Sequence, residues 1–190
     1  MATATIDRDK AARDRAGGEA SPWASIIYDA LIDAGVLRMS YVPDAGHARL
    51  IELFQGNPQA VSTVLTTEEE GIAIAAGAWA GGQRSVLLMQ SSGVGNCVNM
   101  LSLIASCRMP LLTVVTMRGE WAEFNPWQVP MGRATPQAFE IMGVRVVRVD
   151  RIEDLAETMA AVAAMAFDSD QAIAVLLSQK LLGRKKWVAK

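Results

Sequence analysis

Apolar residues along this chain recur with two spacings, and the spacing changes from one segment to the next. Helical spacing, with apolar side chains three or four residues apart, begins at Ser21-Pro22 and ends at Gly35. The same criteria predict further helices over residues 45–54, 66–79, 97–107, 136–142 and 152–167. Short apolar runs predict strands over residues 37–43, 60–65, 85–89, 110–116, 145–149 and 172–177, with a long loop over 117–133.

Strands and helices alternate throughout, and the later strands are uninterrupted apolar runs. Such strands are typical of a parallel sheet that is covered on both faces. We therefore predict an α/β fold, a doubly wound parallel sheet of about six strands with helices on both faces. Ligands of such sheets bind beyond the carboxyl ends of the strands. The segments at those ends are residues 43–47, 66–70, 90–96 and 117–133.

Length and charge narrow the class of protein. A chain of 190 residues, 51% of them hydrophobic, fits one well-buried domain, which we predict over 21–180 between a flexible arm (1–20) and a basic tail (181–190). A net charge of −2 gives no case for binding nucleic acid or an anionic membrane, and no apolar run has membrane-spanning length. Cys97 and Cys107, on one predicted helix, indicate buried free thiols in the reducing cytoplasm.

The stretch TTEEEGIAIAAGAW, residues 66–79, places three glutamates before a body without polar side chains. A helix with such a body is buried nearly all round. Helical spacing puts Glu69 on the apolar face, while Glu68 and Glu70 can lean toward solvent. The alternative is that all three acids only complement the positive end of the helix dipole.

The stretch SSGVGN, residues 91–96, follows a predicted strand. Gly93 and Gly95 allow a tight turn there, and the next helix offers free N–H groups to a ligand. The third glycine of a dinucleotide fingerprint and the lysine of a phosphate loop are absent, so a plain turn is the alternative.

Together these segments resemble the pyrimidine-binding (PYR) domain of thiamine-diphosphate enzymes. The order is a strand, a Glu-x-Gly helix ending in Gly-x-Trp-Ala, a strand, a Ser-Gly-x-Gly-Asn loop and a helix. LLMQSSGVGNCVNML, RGE (118–120) and VPMGRAT (129–135) are most similar to the alpha subunits of sulfopyruvate decarboxylases, with phosphonopyruvate decarboxylases as the neighbouring likeness. The resemblance covers about residues 21–180.

The resemblance implies a catalytic glutamate two residues before a small residue and ten before an aromatic one. Gly71 and Trp79 meet both conditions for Glu69. Its carboxyl group would protonate N1′ of the cofactor's pyrimidine, so that the cofactor's own amino group can act as a base. A buried glutamate can hold that proton near neutral pH because burial disfavours its charged form.

The resemblance also suggests roles for residues around the strand ends. His47 is the second predicted catalytic residue, for substrate orientation or proton transfer, with a surface imidazole as the alternative. Arg118 offers a fork for a sulfonate, phosphonate or carboxylate, and Trp121 and Trp127 are interface anchors or pocket walls. The remaining predicted cofactor contacts are Pro43, Asp44, Gly93, Asn96 and Asn99, and the remaining substrate contacts are Gln90 and Ser91.

The chain has no Gly-Asp-Gly motif, which in this family binds the metal that holds the diphosphate. The resemblance thus implies a partner beta subunit that supplies the Mg²⁺ ligands, no metal ligand in this chain, and an α2β2 or α4β4 assembly. The implied reaction is decarboxylation of a 2-oxo acid with an anionic tail. A carboligase or lyase of the acetolactate-synthase kind and a non-catalytic half-domain that binds a partner are the alternatives.

Overall fold

The computed structural model describes residues 22–183, so the predicted arm over residues 1–20 and most of the predicted basic tail lie outside the described residues. The strands are β1 (Val36–Tyr41), β2 (Val61–Val64), β3 (Arg84–Gln90), β4 (Leu111–Thr116), β5 (Arg145–Val149) and β6 (Ala172–Leu177). The helices are α1 (Pro22–Asp33), α2 (Ala48–Gln55), α3 (Glu68–Ala80), α4 (Val94–Cys97), α5 (Leu101–Cys107), α6 (Val129–Glu140), α7 (Leu155–Phe167) and α8 (Gln179–Leu182).

The six strands form one sheet in the order β2-β1-β3-β4-β6-β5, and all neighbouring pairs are parallel. A hydrophobic core lies on each face. Helices α1, α2 and α7 cover one core, and helices α3 to α6 cover the other. In β3 the pleat sends Val86 and Leu88 to the first core and Leu87 and Met89 to the second. The predicted doubly wound sheet is confirmed.

Two predicted elements differ from the structure. The predicted helix 97–107 is two helices, α4 and α5, with a turn at residues 98–100 between them, so the two cysteines lie on separate helices. Both thiols are free, but only Cys97 is buried, and the predicted burial of Cys107 is wrong. The predicted helix 136–142 begins at Val129, because Pro130 lies in the first turn, where a missing N–H costs nothing.

Within residues 22–183, no helix combines the length and apolar character needed to cross a membrane.

Candidate active site

The strand order reverses between β1 and β3, which opens a crevice at the carboxyl edge of the sheet. β2 lies on one side of β1 and β3 on the other. The helices that follow β1 and β3 consequently pack on opposite faces. Ligands of open parallel sheets bind at such switch points. Residues 43–47 and 90–96 leave the sheet there, as the sequence predicts.

Glu68 is the glutamate of α3 that turns inward. Its relative exposure is 8%, whereas Glu69 and Glu70 are exposed. The buried positions of this helix follow one helical face: Glu68, Gly71, Ile72, Ala75 and Ala76.

The prediction of a helix buried nearly all round is therefore wrong, and Glu69 is not buried within this chain. Its predicted contact with the cofactor stays a prediction. Ala73 and Gly77 lie on the solvent side, on the face that carries Glu69. Because the residues after Glu70 in this helix are apolar on every side, its sequence did not show which side is exposed.

The Glu68 carboxyl group packs against the start of α4. A Cβ atom added to Gly93 would lie 2.1 Å from both Cδ and Oε1 of Glu68, so only glycine leaves room for this side chain. Asn96 donates a hydrogen bond from Nδ2 to Oε2 of Glu68, at 2.9 Å. Gly93 has an ordinary helical backbone (φ −81°), so the expected tight turn is not why glycine is needed here.

Asp44 joins three segments in the crevice. Its Oδ1 accepts a hydrogen bond from Gln90 Nε2 and its Oδ2 accepts one from Thr116 Oγ1, both at 2.9 Å. Gln90 in turn accepts a hydrogen bond from the Ser92 hydroxyl. Pro43 is exposed beside this cluster. Asp44 and Gln90 are thus brought together across the switch point.

His47 is fully buried beneath the crevice, so it is neither a surface imidazole nor a group that faces a ligand. Its Nε2–H donates to the Met89 carbonyl at 3.2 Å, and its ring meets Trp23 edge-on. Burial lowers the pKa of His47 and so favours the neutral ring. The negative charge of Asp44 acts in the opposite direction but is outweighed. The predicted contact of His47 with a substrate does not fit this position.

Ser91 and Arg118 are also buried and serve the protein's own structure. The Ser91 hydroxyl accepts a hydrogen bond from the Arg118 backbone N–H at 3.0 Å. The Arg118 guanidinium donates two hydrogen bonds to Glu123, from Nε to Oε2 at 2.8 Å and from a terminal nitrogen to Oε1 at 2.7 Å. The two side chains are 9% and 4% exposed. The predicted anion-binding fork is therefore paired with Glu123 in this chain, and the contact of Arg118 with substrate stays a prediction.

Glu123 fastens the loop that follows β4. Besides Arg118, its carboxylate accepts hydrogen bonds from the backbone N–H groups of Gly119 and Asn125 and from Gln179 Nε2. Burial raises the pKa of Glu123, but the Arg118 hydrogen bonds and the two N–H groups outweigh it and bring the pKa to about 2. Sequence analysis missed Glu123 because its partners lie at irregular spacing.

Two further contacts hold this loop against the sheet. The Gln179 side-chain oxygen accepts hydrogen bonds from the N–H groups of Glu120 and Trp121, both at 3.0 Å. Glu120 also pairs with Arg148 at the end of β5. The contacts of the RGE segment thus hold the loop in place. Trp121 and Trp127 remain exposed on this loop (42% and 83%).

Asn99 lies exposed in the turn before α5, one turn beyond Asn96. Its predicted cofactor contact stays a prediction. Among the described residues, no cluster of three or more His, Cys, Asp or Glu side chains could hold a metal ion.

Comparison with protein-family models gives no match. Curated relatives are nevertheless found. The alpha subunit of sulfopyruvate decarboxylase from Methanothermobacter thermautotrophicus is 34% identical over 152 residues, which cover 80% of this chain and 92% of that protein. The alpha subunit from Methanocaldococcus jannaschii is 37% identical over 108 residues, 56% of this chain and 64% of that protein. A phosphonopyruvate decarboxylase from Streptomyces viridochromogenes is 33% identical over 62% of this chain and 30% of its own length.

Solved structures share the fold at low sequence identity. A 2-oxoglutarate:ferredoxin oxidoreductase from Magnetococcus marinus matches with a TM-score of 0.68 and 15% identity, over 86% of this chain and 31% of that one. Benzoylformate decarboxylase from Polynucleobacter necessarius matches with a TM-score of 0.66 and 17% identity, over 88% and 31%. An enzyme from Mycobacterium smegmatis, provisionally described as thiamin diphosphate-dependent, matches with a TM-score of 0.65 and 18% identity, over 86% and 31%.

Proposed function

The chain belongs to the family of sulfopyruvate decarboxylase alpha subunits, and on that premise we propose that it is the pyrimidine-binding subunit of a two-chain, thiamine-diphosphate-dependent decarboxylase. The substrate is a 2-oxo acid with an anionic tail, of the sulfopyruvate or phosphonopyruvate kind. The relatives' names support the reaction class and the existence of a second subunit.

The observation that carries the proposal is the acidic start of α3 at the carboxyl edge of the sheet. Asn96 and Gly93 hold the buried Glu68 carboxyl group within this chain, whereas the neighbouring Glu69 is exposed. An exposed carboxyl group at this edge fits the N1′ atom of an aminopyrimidine that is bound between this chain and a partner subunit, where assembly would bury it.

Thiamine diphosphate, when bound, supplies a nucleophilic carbon and a sink for the electrons that loss of CO₂ leaves behind. The contribution of this chain would be to present the Glu69 carboxyl group to N1′ as a hydrogen-bond partner and proton donor. We assign Glu69 to this role and Glu68 to supporting the start of the helix. Asp44 and Pro43, at the crevice, remain the proposed contacts to the rest of the pyrimidine end.

The partner subunit completes the proposed site. This chain lacks the Gly-Asp-Gly motif, so Mg²⁺ and the diphosphate group would be bound by the beta subunit in an α2β2 or α4β4 complex. Arg118 is paired with Glu123 and Arg148 with Glu120, so neither offers an uncompensated charge to the substrate. We therefore place recognition of the anionic tail on the partner as well. The exposed Trp121 and Trp127 support an interface on the loop beside the site.

The test compares Glu68→Gln with Glu69→Gln in the co-expressed complex. Loss of a proton-transfer group costs about a hundredfold or more in turnover, so Glu69→Gln is expected to lose that much. Glu68→Gln, whose side chain is bound by Asn96 within this chain, is expected to lose less. The reverse ranking would assign the role to Glu68. Two unaffected variants would contradict the proposal.

Product analysis separates the reaction classes. Release of CO₂ and an aldehyde from sulfopyruvate or phosphonopyruvate, without an acceptor, is expected of the decarboxylase. A product formed only when an acceptor aldehyde or a second 2-oxo acid is present would indicate a carboligase.

A further inference from the structure

We propose that the apolar hollow beside Glu69 is a docking surface for the beta subunit. This inference rests on the proposed function, because the same contact would bury the Glu69 carboxyl group. The hollow has a volume of about 560 Å³ and lies between the end of β2, the first turns of α3 and the turn at residues 98–100. The apolar residues that line it are Val64, Leu65, Ala73, Ile74 and Met100.

The apolar lining of this hollow is open to solvent in the single chain. Val64 is 60% exposed, Ala73 is exposed, and Ile74 and Met100 are only half-buried. A contiguous apolar surface that faces water is typical of a site that another protein covers. The hollow is therefore a candidate interface.

The two acids that line the hollow differ in their contacts. Glu70 is committed to its own chain, since its Oε2 accepts a hydrogen bond from the Thr66 backbone N–H at 2.8 Å. Within the described residues, no hydrogen bond or ion pair engages Glu69. The Glu69 carboxyl group is thus available to a group that approaches from outside this chain.

The strand beside the hollow is an unprotected edge of the sheet. β2 lies at one end of the strand order and has the sequence VSTV, with exposed Val61 and Val64. The opposite edge strand, β5, carries exposed Arg145 and Arg148. Charged side chains on an edge strand discourage contact with other chains. β2 lacks that protection, as expected of an edge that a partner covers.

The position of Glu69 favours the beta subunit as the partner. Glu69 lines the hollow, so a surface that buries its carboxyl group also covers Val64 and Ala73. This chain has no Gly-Asp-Gly motif, so the subunit with that motif has to approach Glu69 to complete the proposed site. A second copy of this chain would bring no such motif. The lining predicts that the beta subunit contributes an apolar segment here.

Two substitutions test this surface without changing Glu69. Val64→Glu places a carboxylate in the hollow, where burial would leave it without a counter-charge. Ala73→Gln fills part of the hollow with a longer, uncharged side chain and keeps a good helix former on α3. The matched controls are Ile141→Glu, at a position that is 80% exposed, and Ala161→Gln, at an exposed position of α7.

The experiment measures the association of each chain with the beta subunit by sedimentation, in the absence of thiamine diphosphate. Thermal unfolding of each free chain checks its fold. We expect Val64→Glu to weaken association about 100-fold or more, because the interface would bury an unpaired charge. Ala73→Gln should weaken it about tenfold through overpacking. Both controls should associate as wild type does, and all four variants should unfold near the wild-type temperature.

Wild-type association of both hollow variants would overturn the inference. If one of them unfolds at a lower temperature, the other decides. Unchanged association with weaker cofactor binding would give the hollow to the cofactor, and loss of self-association alone would give it to a second copy of this chain. Both outcomes contradict the proposed partner. Full turnover of Glu69→Gln in an assembled complex is a separate result, which contradicts the proposed function and leaves the docking surface standing.

Discussion

The Arg118–Glu123 pair makes the loop after β4 sensitive to the charge on one carboxylate. Replacing Glu123 with glutamine keeps the shape of the side chain but leaves the buried Arg118 guanidinium without its counter-charge. The folded structure lowers the pKa of Glu123 from 4.5 to about 2, the Arg118 and backbone hydrogen bonds outweighing the opposing effect of burial. This fall corresponds to roughly 3 kcal/mol of stability at neutral pH.

The sign of the pH dependence follows from the lowered pKa. The unfolded chain takes up the proton first, so the contribution of Glu123 is complete above about pH 5 and is lost as pH falls from 4.5 toward 2. Solvent screening is small because the Glu123 side chain is only 4% exposed. A cost of about 3 kcal/mol also agrees with the usual penalty for removing one partner of a buried pair.

Urea unfolding at several pH values, followed by circular dichroism, provides the assay. We expect Glu123→Gln to be less stable than wild type by about 3 kcal/mol at pH 7 and by less than about 1 kcal/mol at pH 2.5. Glu52→Gln is the control, because it removes an ion pair with Arg49 whose side chains are 48% and 61% exposed. Exposed pairs contribute at most about 1 kcal/mol. A Glu123→Gln variant as stable as wild type at pH 7, or a stability gap that persists at pH 2.5, would refute the reasoning.

Three further predictions concern glycines that lie close to other atoms and the burial of the two cysteine thiols. Gly93→Ala should lower turnover and weaken cofactor binding, because it displaces Glu68 and with it the helix start that carries Glu69. Gly95→Ala, whose Cβ would lie 3.1 Å from the flexible Met131 sulfur, should be tolerated in both assays. Gly132→Ala would place a Cβ 1.9 Å from the Arg118 carbonyl oxygen and should lower stability by about 2 kcal/mol or more in thermal unfolding, while Gly77→Ala, with nothing within 4 Å, should raise it by up to about 1 kcal/mol. A thiol reagent at pH 8 should modify one cysteine per folded chain, the exposed Cys107, because burial and the charges of Glu68 and Glu69 raise the pKa of Cys97 to about 12. Modification of both cysteines at equal rates would contradict this burial.

The strands were predictable because each is an apolar run bounded by turn residues. The bounds of β5 and β6 agree with the predicted ones, since a buried parallel strand leaves no room for polar side chains. The buried glutamate of α3, Glu68, was harder to predict. The body of α3 is apolar on both sides, so helical spacing and the spacing from Gly71 and Trp79 both selected Glu69, which is exposed in this chain.

Residues of the loop after β4 could not be paired from the sequence. Arg118 finds its partner five residues on, and Glu123 finds another donor in Gln179, more than fifty residues away. No helical or strand period links such positions, so an arginine at a strand end looked free to bind an anion. His47 was misplaced for a similar reason, because the short segment before α2 gives no sign that tertiary packing buries it.

The hydrogen bonds between Gln179 and the loop after β4 limit where the chain can be shortened or joined to another protein. Its side chain binds Glu120, Trp121 and Glu123, so the first turn of α8 is part of the loop's support although it comes more than fifty residues later in the chain. A shortened version that stops after β6 would keep every strand of the sheet and yet release the two exposed tryptophans from their fixed positions. Joining this chain to a second subunit through a covalent linker is therefore expected to preserve the loop only if the linker begins after Leu182.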